Sequence, residues 1–334
     1  MSFMTDDAAD HTKLTPVRLP AREVFPPSTI SPEARAALAA GAATPAASRP
    51  ASGDLQAWRQ AVVASEAMWE PVAAQMLSAC RSKVETRPIA GVTCYVSTPP
   101  GLAEPDRSRV YMYLHGGALV FGGGGFAKAY GAATADRIGV TTVSVDYRMP
   151  PDHPFPAAPE DCLAVYRELI KTHDPGRVVI GGSSAGGNLA AATALMIRDR
   201  GLPLPAAVIL LTPEVDLTEA GDTFQTNVLL DVQLKGGLPE CNLLYAGGHD
   251  LTDPYVSPLF ADFAPGFPPT LIQSGTRDVF LSNSVLMHRK LRKAGVEAQL
   301  HVWEAMPHGG FGQGDAPENR EIDEEVRRFI ARHA

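Results

Sequence analysis

The chain has 334 residues and a net charge of −8, from 29 Lys and Arg against 37 Asp and Glu. Apolar residues make up 45 % and charged residues 20 %, proportions typical of a soluble globular protein and unlike those of a disordered or fibrous chain. The acidic balance argues against a nucleic-acid partner, because binding to a phosphate backbone requires a basic surface. No apolar run approaches the ~20 residues needed to span a bilayer, so the sequence predicts no membrane span.

The cysteines and the first residues bear on the cellular compartment. Cys80, Cys94, Cys162 and Cys241 lie far apart and form no C-x-x-C pair, so neither a zinc knuckle nor a disulfide framework is indicated. Residues 1–13 hold three aspartates and lack the basic start and apolar stretch of a secretory signal. We therefore expect reduced cysteines, no bound metal and a cytoplasmic protein.

The N-terminal part is rich in Pro, Ala and Ser up to about residue 53. It contains one predicted helix, 32–40, with Ser31 as the N-cap and proline at the first helical position. The rest of this stretch is expected to be extended. Asp54 is then predicted to cap a segment of one or two amphipathic helices, which Pro71 is expected to break or restart.

From Val84 onward, β-rich runs alternate with helix-length segments. The predicted strands are 91–97, 110–114, 140–147, 177–180, 206–211, 270–274 and 297–302. The predicted helices are 157–171, 185–200, 282–293 and 318–331. This alternation indicates βαβ crossovers and therefore an α/β fold with a mainly parallel central sheet and helices on both faces. The segment of about 214–253 interrupts the rhythm and, with the N-terminal helices, is expected to form a cap over the carboxyl ends of the strands.

The sharpest motif is a turn of small residues between a β-branched strand and a helix. It contains Gly182, Ser184 and Gly186 in the G-x-S-x-G pattern of a nucleophile elbow, in which the glycines avoid collisions with the adjoining strand and helix. Shifting the register by one would make Ser183 the nucleophile instead. Taken alone, the motif is also compatible with a glycine-rich turn that carries surface serines.

A second loop of small residues follows the strand 110–114. Its glycines, Gly116 and Gly117, can turn backbone N–H groups toward a carbonyl oxygen, and the amide of Ala185 would add a third donor. These three residues are the predicted oxyanion hole. His115, which precedes the glycines, is interpreted as a histidine that braces the loop rather than one that acts in catalysis.

A serine nucleophile needs a base, and the base needs an acid that orients it. Asp278 lies in the loop after the strand 270–274, and His308 lies in a loop bounded by Pro307 and Gly309. His301 alternates within a strand and is the weaker candidate for the base. The order Ser184, Asp278, His308 is the chain order of α/β-hydrolases and differs from that of the two other well-known serine-protease arrangements.

Two further features leave alternatives open. The run of four glycines at 122–125 lacks the lysine and Ser/Thr pair of a P-loop and the G-x-G-x-x-G spacing, so it is interpreted as a floor beside the acyl site or a close-packed turn. Trp58 and Trp69 fall on nearly one helical face and either pack the cap or line the substrate pocket.

Together these motifs resemble the hormone-sensitive-lipase-like family of α/β-hydrolases, the bacterial family IV esterases, from about residue 84 to the end. Three segments add to the resemblance: 146–148 and 153–161, which follow a core strand, and 253–259, which precedes the acid loop. The resemblance implies a serine carboxylic-ester hydrolase with an α/β-hydrolase domain at 84–334, a helical cap in 1–83 and 214–253, a small ester as substrate, and no metal or organic cofactor.

Three positions depart from the family's pattern. Ser183 stands where the family commonly has aspartate before the nucleophile, which removes a charge near the elbow. Ala118 ends the oxyanion loop where a third glycine is frequent, and an extra glycine, Gly310, follows the histidine motif. None of these changes removes a member of the predicted triad.

Two rival functions use the same fold. A lactone or amide hydrolase could be built on the same triad, and a non-catalytic small-molecule receptor of this fold would lack a working histidine, whereas His308 is present here. The position of the last predicted strand, 297–302, as a possible sheet edge suggests a homodimer through that edge.

Overall fold

A computed structural model describes residues 15–102, 106–264, 266–312 and 315–334. The segment 1–13, on which the absence of a secretory signal was judged, lies outside these residues. Within the described ranges, no helix is long and apolar enough to cross a membrane.

The fold is built on one eight-stranded sheet. Its strands are β1 (Lys83–Ile89), β2 (Val92–Thr98), β3 (Val110–Leu114), β4 (Thr141–Val145), β5 (Val178–Ser183), β6 (Ala207–Leu211), β7 (Thr270–Gly275) and β8 (Ala298–Trp303). They are arranged in the order β1-β2-β4-β3-β5-β6-β7-β8. The six strands β4, β3, β5, β6, β7 and β8 are parallel to one another. At the other edge, β2 is antiparallel to both of its neighbours, β1 and β4. The predicted α/β fold with a mainly parallel sheet is confirmed.

Helices cover both faces of the sheet. They are α1 (Pro32–Ala43), α2 (Leu55–Ala79), α3 (Gly125–Ile138), α4 (Ala157–Leu169), α5 (Ala185–Asp199), α6 (Thr223–Thr226), α7 (Pro239–Ala246), α8 (Leu281–Lys293) and α9 (Pro317–His333). Side chains of α4, α5 and α8 pack on one face in a core with Met112, Ile180 and Leu210, and side chains of α3 and α9 pack on the other with Val179 and Ile209. Since both faces are covered, the central strands are largely buried, and every residue of β3 is buried.

The first helix forms as predicted, and the segment after Asp54 forms one helix, which is one of the two predicted outcomes. The Ser31 hydroxyl accepts a hydrogen bond from the amide of Ala34, which caps α1. The expected break at Pro71 is wrong, because α2 continues through this residue from Leu55 to Ala79. Burial of Trp58 before the proline and of Ala73 after it holds the two halves in one helix, despite the hydrogen bond that proline cannot donate.

Outside the segment 214–253, two elements were not predicted. Strand β1 lies at the sheet edge, pairs with β2 and carries charged residues, so it shows no apolar alternation. Helix α3 is rich in Ala and Gly and is buried around much of its circumference, which removes the polar face that a periodicity search needs. A Cβ on Gly131 would lie 2.5 Å from that of Ser144, so this helix packs very close to β4.

Two parts of the chain were predicted to form a cap. The segment 214–253 contains the short helices α6 and α7. In the N-terminal part, helix α2 packs against α3. Residues from both the N-terminal part and this segment line a cleft that also contains Ser184 and His308. The division into a cap and a catalytic domain stays a prediction.

Candidate active site

The turn between β5 and α5 has the geometry of a strained elbow. Ser184 adopts φ 59° and ψ −121°, a conformation that is rare for a residue with a side chain. The turn is tight because neighbouring backbone leaves no space: a Cβ on Gly186 would lie 1.9 Å from the carbonyl oxygen of Leu114, and one on Gly182 would lie 2.3 Å from the same atom. The glycines are therefore required by packing, and the strained position is Ser184 rather than Ser183.

The structure brings together the three residues that the sequence singled out for the triad. Nε2 of His308 lies 2.9 Å from Oγ of Ser184, and Nδ1 of His308 lies 3.2 Å from Oδ1 of Asp278. Both distances permit a hydrogen bond, the second being longer. The imidazole thus bridges a hydroxyl and a carboxylate, which is the arrangement that general-base activation of a serine requires.

Asp278 is fully buried and held by its own loop. The hydroxyl of Ser274 donates to Oδ2 at 2.7 Å, and the amide of Phe280 donates to Oδ1 at 2.9 Å. These donors fix the carboxylate, so that Oδ1 faces His308.

His308 is enclosed by protein. The ring of Phe280 packs against the imidazole edge to face, with centroids 4.8 Å apart. Burial by itself lowers the pKa of His308, but the hydrogen bond to Asp278 and the charges of Asp278 and Asp231 outweigh it, so that the pKa is raised. The site therefore stabilises the imidazolium, which is the form that a histidine base takes once it has accepted the serine proton.

The loop after β3 lies directly against the elbow. A Cβ on Gly116 would lie 2.9 Å from the carbonyl oxygen of Ser183, and Gly117 has φ 132°, which a residue with a side chain rarely adopts. Among the described residues, none accepts a hydrogen bond from the amides of Gly116, Gly117 or Ala185. Three N–H groups near Ser184 are thus free to bind an oxygen atom of a ligand.

His115 braces this loop, as the sequence favoured. Its ring stacks on that of Tyr147 at 4.1 Å, and its Nδ1 lies 2.9 Å from the carbonyl oxygen of Gly116. The hydroxyl of Tyr147 donates to the carbonyl of His115 at 2.7 Å. Burial lowers the pKa of His115 and so favours its neutral ring, whose contacts are with the backbone of Gly116 and with Tyr147.

The glycine run forms a close-packed wall of the site. A Cβ on Gly122 would lie 2.4 Å from the carbonyl oxygen of Gly116, and the amide of Gly124 donates to Oδ1 of Asp146 at 3.0 Å. Residues 122–125 line the cleft, which agrees with their interpretation as a floor beside the site.

A cleft of about 840 Å³ leads from the surface to Ser184 and His308. Trp69 of α2 lies on its wall and is 39 % exposed, whereas Trp58 is fully buried and packs on Phe121 with ring centroids 6.1 Å apart. The sequence left two roles open for these residues. Trp69 lines the cleft, and Trp58 packs in the protein interior.

Sequence reasoning missed two polar residues next to the triad, Asn227 and Asp231. The amide nitrogen of Asn227 donates to the carbonyl oxygens of Thr276 and Asp278, at 3.1 and 2.9 Å. Asp231 is buried and accepts backbone hydrogen bonds from both triad loops. Both residues lie in the segment 214–253, which interrupts the alternation of strands and helices, so no local pattern marked them.

The described part of the chain contains no cluster of three or more His, Cys, Asp or Glu residues that could hold a metal ion. Cys80, Cys94, Cys162 and Cys241 form no disulfide with one another.

Comparison with known proteins adds independent information. Residues 111–312 match the family described as alpha/beta hydrolase fold. An acetyl-hydrolase of Streptomyces hygroscopicus is 36 % identical over 202 residues, which cover 60 % of this chain and 67 % of that protein. An esterase of Acinetobacter venetianus is 32 % identical over 212 residues, which cover 61 % of this chain and 68 % of that protein.

Solved structures agree with these relatives. The crystal structure of an esterase superimposes with a TM-score of 0.88 at 33 % identity, covering 95 % of this chain and 99 % of that one. A second, an esterase from the bacterial hormone-sensitive lipase family, gives a TM-score of 0.77 at 31 % identity, covering 91 % of this chain and 98 % of that one.

The fold and the site thus define a member of the α/β-hydrolases. Within them, the chain belongs to the hormone-sensitive-lipase-like family, and the resemblance seen in the sequence is confirmed.

Proposed function

We propose that the protein is a serine esterase that hydrolyses small carboxylic esters through an acyl-enzyme intermediate on Ser184. The observation that carries this proposal is the imidazole of His308, whose Nε2 lies 2.9 Å from Oγ of Ser184 while its Nδ1 faces Asp278. Relatives named as esterases and an acetyl-hydrolase support the same chemistry.

In the first half of the reaction, Oγ of Ser184 attacks the ester carbonyl as Nε2 of His308 takes its proton. The negative charge that develops on the substrate oxygen is stabilised by the amides of Gly116, Gly117 and Ala185. Asp278 holds the imidazole and stabilises its cation. His308 then gives the proton to the leaving alcohol, and the acyl group stays on Ser184.

In the second half, water attacks the acyl carbonyl while Nε2 of His308 takes a proton from the water. Collapse of the second tetrahedral intermediate releases the acid, and the proton returns from His308 to Oγ of Ser184. The same amides bind the oxyanion in both halves.

Labelling with a fluorophosphonate tests the nucleophile. The wild-type protein is expected to gain the mass of the phosphonyl group on the peptide that contains Ser184. Ser184→Ala is expected to lose kcat on a nitrophenyl acetate by a factor on the order of 10⁶ and to resist labelling.

Ser183→Ala is the matched variant, because it removes the neighbouring hydroxyl of the same turn, and it is expected to keep the label. Wild-type-like turnover by a folded Ser184→Ala protein would remove that serine from the role. Absence of labelling in folded wild type would favour a non-catalytic receptor instead.

A substrate panel tests the bond and the size of the acyl group. We expect nitrophenyl acetate and butyrate to be cleaved with a higher kcat/KM than ε-caprolactone or an anilide of the same acids. A higher kcat/KM for the lactone or the anilide would assign the same triad to lactone or amide hydrolysis.

The predicted homodimer and the cytoplasmic location stay predictions. Among the strands that the structure describes, β8 pairs only with β7 and lies at the sheet edge, and Val302 on it is 43 % exposed. Light scattering at micromolar concentration is expected to give twice the mass of the chain, and the mass of one chain would contradict a dimer.

A further inference from the structure

Asp231 is a second buried carboxylate next to the triad, and it lies in the loop after α6. Its Oδ1 accepts hydrogen bonds from the amides of Gln233 and Leu234, both at 3.0 Å. Its Oδ2 accepts hydrogen bonds from the amides of Val279 and His308, both at 3.0 Å. Four backbone donors thus converge on one side chain.

The two donors on Oδ2 come from different triad loops. Val279 directly follows Asp278, and the other amide belongs to His308 itself. A single oxygen atom of Asp231 therefore ties the acid loop after β7 to the base loop after β8. The neighbouring Asn227 adds to this link, since its amide group donates to the carbonyl oxygen of Asp278 at 2.9 Å.

Burial and the charge of Asp278 raise the pKa of Asp231, and they outweigh the charge of His308 and the backbone donors, which lower it. The contacts that favour the charged form of Asp231 are its four backbone hydrogen bonds. Each oxygen already accepts two N–H groups, so a proton could be added only by losing one of these hydrogen bonds.

This charge faces the catalytic base. Among the described residues, the charged groups that act on the imidazole of His308 are Asp278 and Asp231, and both raise its pKa. The imidazole also contacts the hydroxyl of Ser184 and the ring of Phe280, and both groups are uncharged. Asp231 is not among the residues that line the cleft, so it acts on the reaction through His308 and the loop of Asp278.

We propose that Asp231 is a positioning residue of the esterase reaction, which fixes the backbone of His308 against the Asp278 loop and stabilises the imidazolium by its charge. This proposal rests on the proposed function of the same site. It predicts two separable effects of removing the charge: a lower kcat and an altered pH dependence.

The test is Asp231→Asn, with kcat, KM and the pH profile of kcat/KM measured on a neutral nitrophenyl ester. We expect kcat to fall by about ten- to a hundred-fold, because a displacement of ~1 Å in a catalytic group can cost about 10²-fold, while KM changes less. The acid limb of the profile is expected to move to lower pH, because a negative charge that favours the imidazolium is gone.

Asp216→Asn is the matched control. Asp216 is equally a buried aspartate of the segment 214–253, but its Oδ1 accepts from the amide and hydroxyl of Thr218, and no hydrogen bond links it to His308 or Asp278. Its replacement is expected to lower stability and leave the acid limb in place. Asp231→Glu, which keeps the charge, is expected to hold the acid limb near that of the wild type.

A folded Asp231→Asn protein with an unmoved acid limb would overturn the proposal, and so would an equal displacement in Asp216→Asn. If Asp231→Asn does not fold, Asp231→Ser, which keeps an uncharged acceptor, takes its place with the same expected displacement. Failure of both to fold, while Asp216→Asn folds, would assign Asp231 to stability alone and reject the proposal. These outcomes are distinct from failure of the proposed function, which would appear as wild-type-like turnover by a folded Ser184→Ala protein.

Discussion

At the scale of single residues, the site depends on backbone positions that only small residues can occupy. Ser184 has a positive φ, and its neighbours Gly182 and Gly186 lie against the carbonyl oxygen of Leu114. The strain raises the hydroxyl above the end of β5, where Nε2 of His308 meets it at 2.9 Å. Because the requirement for glycine is local, the sequence could indicate the nucleophile.

The pH dependence of activity belongs to this scale. The hydrogen bond and charge of Asp278, with the charge of Asp231, overcome the effect of burial and raise the pKa of His308 above its ordinary 6.5. Only the neutral imidazole accepts the serine proton, so kcat/KM should be lost as pH falls through this raised value. Assays of a neutral ester between about pH 5 and 9 measure the midpoint.

Recovery of full activity after return to neutral pH is the control that separates titration from acid unfolding. A midpoint below 6.5, or a flat profile, would contradict a histidine base held by two carboxylates.

At the scale of elements, tertiary packing on both sides of a proline can keep a helix continuous where the local sequence predicts a break. Pro71 lacks the N–H that an uninterrupted helix needs, but α2 continues past it. Trp69 packs edge to face on Phe126 at 6.0 Å just before the proline, and Ala73 is buried just after it. Tertiary contacts therefore keep α2 continuous, although Pro71 is unfavourable inside a helix.

Pro71→Ala is expected to remove this cost. Proline in a helix interior is unfavourable by about 3 kcal/mol, so we expect the free energy of unfolding to rise by about 1–3 kcal/mol. Denaturant unfolding measures the change. Pro32→Ala is the matched control, since Pro32 occupies the first turn of α1, where proline is tolerated, and it should give no such gain. A lower stability of Pro71→Ala would show that the proline is required for the path of α2.

At the scale of the whole molecule, the carboxyl ends of β3, β5, β7 and β8 bring distant parts of the chain to one place. The segment 214–253 carries buried acids as well as residues that line the cleft. Glu214 is one of them: it is fully buried, and neither carboxyl oxygen accepts a hydrogen bond from the residues that the structure describes. Burial, with the charge of Glu219, raises its pKa well above the ordinary 4.5.

This raised pKa predicts how stability depends on pH. Above about pH 4.3 the unfolded chain loses the proton of Glu214 whereas the folded protein keeps it, so the free energy of unfolding falls by at most about 1.4 kcal/mol per pH unit until the raised pKa is reached. Glu214→Gln, which carries no charge at any pH, should therefore gain stability over the wild type as pH rises.

Chemical unfolding at about pH 5 and pH 8 measures this difference for Glu214→Gln. Glu304→Gln, at an exposed position, is the control and should show no such trend. A difference between Glu214→Gln and the wild type that is the same at both pH values would contradict a buried, protonated Glu214.

The sequence by itself determined the alternation of strands and helices, the parallel sheet and the three residues proposed for the triad. These features are readable because each has a local cause: apolar runs for buried strands, glycines for the elbow, and loops at strand ends for Asp278 and His308. The order of the triad residues along the chain then pointed to the α/β-hydrolases.

Only the tertiary structure decided the course of α2 through Pro71, the formation of α3 and the placement of Asp231. Each depends on contacts between residues far apart in sequence, as between Gly131 and Ser144 or between Asp231 and the amide of His308. The sequence around Asp231 does not show that it will bind the amides of Val279 and His308. Those amides come together only when β7 and β8 lie side by side in the folded protein.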